Sequence, residues 1–202
     1  AGLAVDPAAG GRAGRARLVK SLDRGLSAGK MTEEQRDAAV GRLGFTTDMA
    51  ELADRQLVVE AVVEDEAMKV DIFKQLDTVL TADDAILASN TSSIPIMKLG
   101  TATSRPEQVI GIHFFNPVPV LKLVELVTSL MTSPETTERS ERFATEVLDK
   151  HVVQSQDRAG FIVNALLIPY LLSAIRMMES GFASKEDIDT GMVEGCSHPM
   201  GP

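Results

Sequence analysis

Residues 56–89, QLVVEAVVEDEAMKVDIFKQLDTVLTADDAILAS, contain in succession an apolar run, an amphipathic run and a second apolar run. Residues 56–63 are almost continuously apolar, as a strand is when a parallel sheet is covered on both faces. Residues 65–80 carry apolar side chains at helical spacing. That stripe comprises Met68, Ile72, Leu76 and Val79. With the apolar residues 85–89, this order predicts a βαβ unit, from which parallel doubly wound sheets are built.

The same alternation continues on both sides of this unit. The pattern predicts further strands at 3–6, 44–47, 109–115, 121–127 and 151–155, and further helices at 16–29, 32–43 and 134–150. Thr32 and Gln35 have the spacing of a capping box at a helix start. After Gly160 the pattern is helical only. We therefore predict an α/β protein with a doubly wound, mostly parallel sheet and a domain boundary near residues 156–160, after which the chain is helical.

Composition excludes several classes of protein. The net charge of −9 argues against general nucleic-acid binding. The single cysteine, Cys196, excludes an internal disulfide framework and suits a reducing cytoplasm, so we predict a cytoplasmic protein. The longest apolar run, residues 160–178, is interrupted by polar residues and proline. We interpret it as a buried or interface helix and not as a membrane span. We also predict that the protein has no metal site.

Polar side chains gather where the predicted strands end. Asp6, Glu64, the segment SNTSS at residues 89–93, and His113 each end or directly follow a strand. Ligands of open α/β sheets bind beyond the carboxyl ends of the strands, so these residues are candidates for a site. Ser, Thr and Asn also serve in ordinary turns and caps, which remains the alternative for SNTSS.

The segment GIHFFNPVPVLKLVEL, residues 111–126, places an imidazole and a carboxylate in apolar surroundings. Glu125 alternates with leucines in a strand and would be costly to bury without a partner. His113, on the neighbouring predicted strand, is a natural partner whose tautomer the carboxylate would fix. The pair predicts a general base with an orienting acid. The alternative is a structural ion pair or a core histidine with satisfied hydrogen bonds.

Several motifs together resemble one family. The segments ASNTSSIPI (88–96), GIHFFNPVPVLKLVEL (111–126), GFIVNALLIPYLLSAIR (160–176), SKEDIDTGM (184–192) and HPMGP (198–202) occur here in order. They resemble the short-chain L-3-hydroxyacyl-CoA dehydrogenase family, and most nearly its bacterial 3-hydroxybutyryl-CoA dehydrogenases. The resemblance implies a Rossmann-like NAD-binding domain over residues 1–157 and the start of an all-helical dimerisation domain over residues 158–202. It implies NAD-dependent oxidation of the 3-hydroxyl of a short-chain 3-hydroxyacyl-CoA to a 3-oxoacyl-CoA, in fatty-acid or butanoate metabolism, by a homodimer.

The resemblance also implies a role for particular residues. His113 would remove the hydroxyl proton, Glu125 would orient His113, and Ser92 and Asn164 would complete the catalytic site. The implied cofactor-binding residues are Asp6, Glu64, Lys69, Ser92 and Asn116. Basic residues between positions 12 and 20 lie where the family meets the CoA nucleotide.

The chain departs from the family pattern at both ends. The family's first strand, Gly-rich loop and first helix should precede residue 1, and GGRAG at residues 10–14 does not have the GxGxxG spacing. Most of the helical domain should follow residue 202. We therefore expect an incomplete chain that binds NAD poorly when made alone. The alternatives are a non-catalytic dinucleotide- or CoA-binding relative, an inactive fragment of the enzyme, or a β-hydroxyacid dehydrogenase of another group.

Overall fold

The computed structural model describes residues 2–5 and 12–202 of the chain. Its strands are β1 (Gly2–Val5), β2 (Leu43–Thr46), β3 (Leu57–Glu60), β4 (Ile86–Ser89), β5 (Val109–Phe114), β6 (Leu123–Thr128) and β7 (His151–Gln156). Its α-helices are α1 (Arg12–Ser27), α2 (Glu33–Gly41), α3 (Glu66–Val79), α4 (Ile96–Gly100), α5 (Pro134–Arg142), α6 (Val163–Glu179) and α7 (Lys185–Cys196). Helices are interspersed among the strands up to β7, and only helices follow it, which confirms the predicted α/β class.

The strands form two sheets within the described residues. Strands β1 and β2 pair in parallel, and β3 to β7 form a five-stranded sheet in sequence order. All neighbours in the larger sheet are parallel except β5 and β6. That one antiparallel pair has a physical reason, because residues 115–122 between the two strands are too few for the crossover that a parallel pair requires.

The core lies on both faces of the larger sheet. On β4, Leu87 packs into one buried cluster, whereas Ile86 and Ala88 pack into the other. On β5, Val109 belongs to the first cluster, and Ile110 to the second. Both faces are therefore covered, which accounts for the continuous apolar runs that predicted these strands.

The inward face of α3 differs from the predicted stripe. The buried residues are Lys69, Phe73 and Leu76, whereas Met68 is 46% exposed, so the prediction was wrong at Met68. Ile72 and Val79 pack only against the edge of the core. The reason is that Lys69 lies on the buried line with an apolar stem and finds acidic partners for its ammonium group.

Helix ends follow local signals in some places and not in others. The predicted capping box is present at α2, where the side chains of Thr32 and Gln35 each accept the other residue's backbone N–H. Helix α5 is shorter than predicted, because a π-helical turn, Phe143–Val147, continues it. Among the described residues, no helix is long and apolar enough to cross a bilayer.

Candidate active site

His113 and Glu125 face each other across the antiparallel pair of strands β5 and β6. They are register partners, and Nδ1 of His113 lies 2.7 Å from Oε2 of Glu125. Both side chains are buried, with 8% and 0% of their surfaces exposed. Because a carboxylate can only accept, Nδ1 carries the proton of this hydrogen bond, and Nε2 is the ring nitrogen left to exchange a proton. The contact predicted from the sequence is therefore present.

The second oxygen of Glu125 binds the start of helix α6. Oε1 accepts the backbone N–H groups of Ile162 at 3.0 Å and Val163 at 2.9 Å. Since both oxygens have donors, burial of this acid leaves no unpaired oxygen behind. Asn164, the next residue of α6, is half-buried, and its amide has no hydrogen-bond partner among the described residues.

Aromatic rings hold the imidazole from two sides. The ring of Phe115 lies 4.6 Å from that of His113, centre to centre, and the ring of Phe161 lies 5.4 Å away at an edge-on angle of 65°. These contacts restrict rotation of the imidazole and shield the pair it forms with Glu125 from water.

The SNTSS segment folds around Glu64. Oε1 of Glu64 accepts the Thr91 hydroxyl, the backbone N–H groups of Ser92 at 3.0 Å and Ser93 at 3.2 Å, and the Ser93 hydroxyl at 3.0 Å. The hydroxyl of Ser92 has no partner among the described residues. This leaves the Ser92 hydroxyl available to a ligand, whereas those of Thr91 and Ser93 are engaged.

The electrostatics of Glu64 follow from these contacts. Partial burial would raise the pKa of Glu64, but the hydrogen bonds from Thr91, Ser92 and Ser93, together with the charge of Lys69, outweigh it and lower the pKa to about 2. Glu64 is therefore a fixed negative charge at the carboxyl end of the sheet.

The ammonium group of Lys69 is fully engaged inside the protein. Nζ lies 2.7 Å from Oε1 of Glu60, 3.2 Å from the carbonyl oxygen of Val62 and 3.4 Å from Oε2 of Glu64. Only 1% of its side chain is exposed. With one acceptor for each proton, Lys69 would act on a cofactor through Glu64 and not by direct contact.

Sequence reasoning missed Glu60, the buried partner of Lys69. Its Oε1 also accepts the backbone N–H of Val62 at 2.6 Å, and its Oε2 accepts the Ser89 hydroxyl at 2.7 Å. The signal was in the sequence, because Glu60 interrupts an apolar strand as Glu125 does.

Asn90 belongs to the SNTSS candidate segment, and its predicted role was left open between a turn and a site; in the structure it joins this segment to the strand that carries His113. Its Oδ1 accepts the backbone N–H of Phe114 at 2.9 Å, directly after His113, while its own N–H donates to the Glu60 carbonyl. This bond brings the SNTSS segment to the end of β5, so Ser92 and His113 lie at the same edge of the sheet.

The remaining candidates have different positions. Asn116 is exposed on the turn after β5, without a hydrogen-bond partner among the described residues. Asp6 lies outside the described residues. Of the basic residues between 12 and 20, Arg15 and Lys20 line a groove between α1 and α2.

The lowered pKa of Glu64 predicts that the free energy of unfolding falls at acid pH. Its folded pKa of about 2 lies below its ordinary value of 4.5, so ionised Glu64 stabilises the fold above about pH 4.5. We expect this contribution to be lost as the pH falls from about 5 toward 2. Urea midpoints of the wild type and of Glu64→Gln, measured across that range, should differ at neutral pH and converge in acid. Glu138→Gln, at an exposed position on α5, is the control; a gap for Glu64→Gln that does not vary with pH would contradict the prediction.

Comparisons with known proteins cover nearly the whole chain. Residues 5–158 match the family model described as "3-hydroxyacyl-CoA dehydrogenase, NAD binding domain", and residues 160–202 match "3-hydroxyacyl-CoA dehydrogenase, C-terminal domain". The chain is 64% identical over 190 residues to a "3-hydroxybutyryl-CoA dehydrogenase" of Mycobacterium tuberculosis, covering 94% of this chain and 66% of that protein. It is 47% identical over 174 residues to "Hydroxyacyl-coenzyme A dehydrogenase, mitochondrial" of Sus scrofa, covering 86% and 55%.

Solved structures agree in fold. The chain superposes on FadB2 of M. tuberculosis with a TM-score of 0.95 at 62% identity, covering 99% of this chain and 70% of that one. On (S)-3-hydroxybutyryl-CoA dehydrogenase PaaH1 from Ralstonia eutropha the TM-score is 0.94 at 41% identity, again covering 99% and 70%. The chain thus spans 66% and 55% of the lengths of the mycobacterial and porcine relatives.

Proposed function

Because this chain belongs to the 3-hydroxyacyl-CoA dehydrogenase family, we propose that the protein oxidises the 3-hydroxyl group of a short-chain 3-hydroxyacyl-CoA to a ketone with NAD. The observation that carries the proposal is the buried contact of 2.7 Å between His113 and Glu125, which leaves Nε2 free as a base. The name of the mycobacterial relative supports a four-carbon acyl group.

The residues present fit the nicotinamide half of NAD. At the carboxyl end of the sheet, the Ser92 hydroxyl and the amide of Asn116 have no partners among the described residues, and Glu64, which accepts the backbone N–H of Ser92, is ionised. We propose that these three residues hold that half, with Lys69 supporting Glu64. Asp6 would bind the adenine ribose. When bound, NAD supplies the ring that accepts a hydride from the substrate.

The residues of this chain then move one proton. Nε2 of His113 takes the proton of the substrate hydroxyl as the carbonyl bond forms. Glu125 keeps the ring in the productive tautomer and stabilises the charge that the imidazole gains. The Ser92 hydroxyl and the Asn164 amide donate hydrogen bonds to the substrate oxygen, which favours the developing ketone.

Further parts of the proposal concern the surroundings of the reaction. Arg15 and Lys20 line a groove whose positive charges would receive the phosphates of CoA. The apolar side chains exposed on α6, among them Leu166 and Ile168, support a homodimer through the helical domain, which we place at residues 158–202. We also propose a cytoplasmic enzyme of fatty-acid or butanoate metabolism.

A direct assay tests the function. The protein expressed in full from its gene should consume NADH when acetoacetyl-CoA is added, which absorbance follows. Acetoacetate without CoA is the control for recognition of the thioester and nucleotide. No consumption of NADH above background would remove the enzyme proposal and leave a non-catalytic binding protein as the better account.

Substituting Ser92 tests the site beyond the histidine. We expect Ser92→Ala to lower kcat about tenfold, the effect of losing roughly 1.4 kcal/mol of transition-state stabilisation. Folding should change little, because only the backbone N–H of Ser92 bonds Glu64 and alanine retains it. Ser180→Ala, at the end of α6, is the control. A kcat for Ser92→Ala equal to that of the control would exclude Ser92 from the site.

A further inference from the structure

We propose that Gly160 and Phe161 are positioning residues, which hold the start of α6 against Glu125 and so fix the geometry of the His113–Glu125 pair. The inference rests on the proposed function and deepens it. Neither residue would contact the substrate in this account. They would act through the carboxylate, through the imidazole ring and through Asn164.

Helix α6 has no cap of its own. Ile162 precedes its first residue, and no side chain at that position bonds the helix. The carboxylate of Glu125, far away in the sequence, accepts the N–H groups of both Ile162 and Val163. The same carboxylate accepts the proton on Nδ1 of His113. One side chain therefore fixes both the proton acceptor and the helix that carries Asn164.

The backbone reaches this position only through a tight left-handed turn. Gly160 has φ +77° and Phe161 has φ +48°. A Cβ on Gly160 would lie 2.8 Å from the backbone nitrogen of Ala165 and 3.2 Å from its Cα, inside the first turn of α6. Any side chain at Gly160 would therefore push this turn of the helix, and with it the two N–H groups that Glu125 accepts.

Phe161 occupies a conformation that large side chains rarely adopt, and packing compensates for it. The residue is 7% exposed and belongs to the buried cluster that contains Leu87 and Val109, and its ring meets the imidazole of His113 edge-on. Its backbone N–H donates to the carbonyl of Arg158 at 2.9 Å, which closes the turn. The same residue therefore stabilises the turn and braces the ring of the proposed base.

Gly160→Ala is the main test, with Gly181→Ala as its matched control. Both glycines have positive φ, +77° and +70°, so alanine is strained at either position. Only Gly160 has backbone atoms in the way, since nothing lies within 4 Å of a Cβ at Gly181. We expect Gly160→Ala to lower kcat roughly tenfold or more relative to Gly181→Ala, because misplacement by about 1 Å can cost on the order of a hundredfold.

The kinetic isotope effect separates positioning from loss of folded protein. With deuterium at C3 of 3-hydroxybutyryl-CoA, a misplaced pair makes the chemical step slower, so the isotope effect on kcat should rise in Gly160→Ala. A smaller folded fraction would lower kcat and leave the isotope effect unchanged. Phe161→Leu, which keeps most of the apolar volume, should show the same rise if Gly160→Ala does not fold.

Amide hydrogen exchange gives a readout that is independent of activity. In the full protein, the N–H groups of Ile162 and Val163 should be protected in the wild type and in Gly181→Ala. They should exchange faster in Gly160→Ala and in Glu125→Ala. An inactive wild type with this exchange pattern would overturn the proposed function and leave the structural coupling in place. Equal protection in all four proteins, or an unchanged isotope effect in both Gly160→Ala and Phe161→Leu, would overturn the positioning role.

Discussion

His113→Gln should lower kcat by at least roughly a hundredfold and by up to about ten thousandfold, the range for loss of a general acid or base. Glutamine has a similar reach and can donate an amide N–H to Oε2 of Glu125, so the buried carboxylate keeps a partner. It cannot take a proton from the substrate hydroxyl. The substitution therefore removes the chemistry and leaves most of the packing.

Two measurements make the result specific. The thermal unfolding midpoint and the affinity for NADH should both stay near those of the wild type, which would place the loss in the chemical step. His151→Gln, at the exposed start of β7, is the matched control and should retain full turnover. If His113→Gln retained wild-type turnover, another group would have to accept the proton, and this result would contradict the proposed mechanism.

Glu60→Gln should lower the free energy of unfolding by about 3–5 kcal/mol, the range for removing one partner of a buried ion pair. Glu60 and Lys69 are each about 1% exposed at the side chain, and their contact of 2.7 Å is the shortest that Lys69 makes. Without the charge of Glu60, the ammonium group of Lys69 stays buried, and the one anionic partner left to it among the described residues is Glu64 at 3.4 Å. Denaturant titration measures the loss directly.

A second substitution shows whether the buried charge is the cause. Glu60→Gln combined with Lys69→Met removes both charges, and much of the lost stability should return because no unpaired ion is left. The exposed pair of Lys122 and Asp149, with 57% and 90% of the side chains exposed, provides the control. Asp149→Asn should leave the denaturant midpoint close to that of the wild type, because exposed ion pairs contribute little to stability. If Glu60→Gln costs no more than Asp149→Asn, the cluster contributes little to stability.

Two kinds of sequence signal predicted structure here. Continuous apolar runs predicted buried strands, because both faces of a parallel sheet are covered, and the strands and their order followed. A charged residue in an apolar strand predicted a partner, and Glu125 has one in His113. The same rule applied to Glu60 would have predicted a buried partner, which the structure identifies as Lys69. The predicted stripe on α3 was wrong at Met68, because Lys69 buries its apolar stem on the inward face of the helix.

The sequence by itself determined the α/β class, the change to helices after β7 and the pairing of an imidazole with a carboxylate. The class and the change to helices follow from the periodicity of apolar residues along the chain. The pairing follows from the free energy of burying a charge, which requires a partner on a neighbouring strand. Only the tertiary structure decided three hydrogen bonds to backbone N–H groups. Glu125 accepts from the start of α6, Glu64 accepts from the SNTSS segment, and Asn90 accepts from the end of β5. Each of these bonds joins residues far apart in the chain, so strand register and the docking of a helix fix them, and no local pattern encodes either.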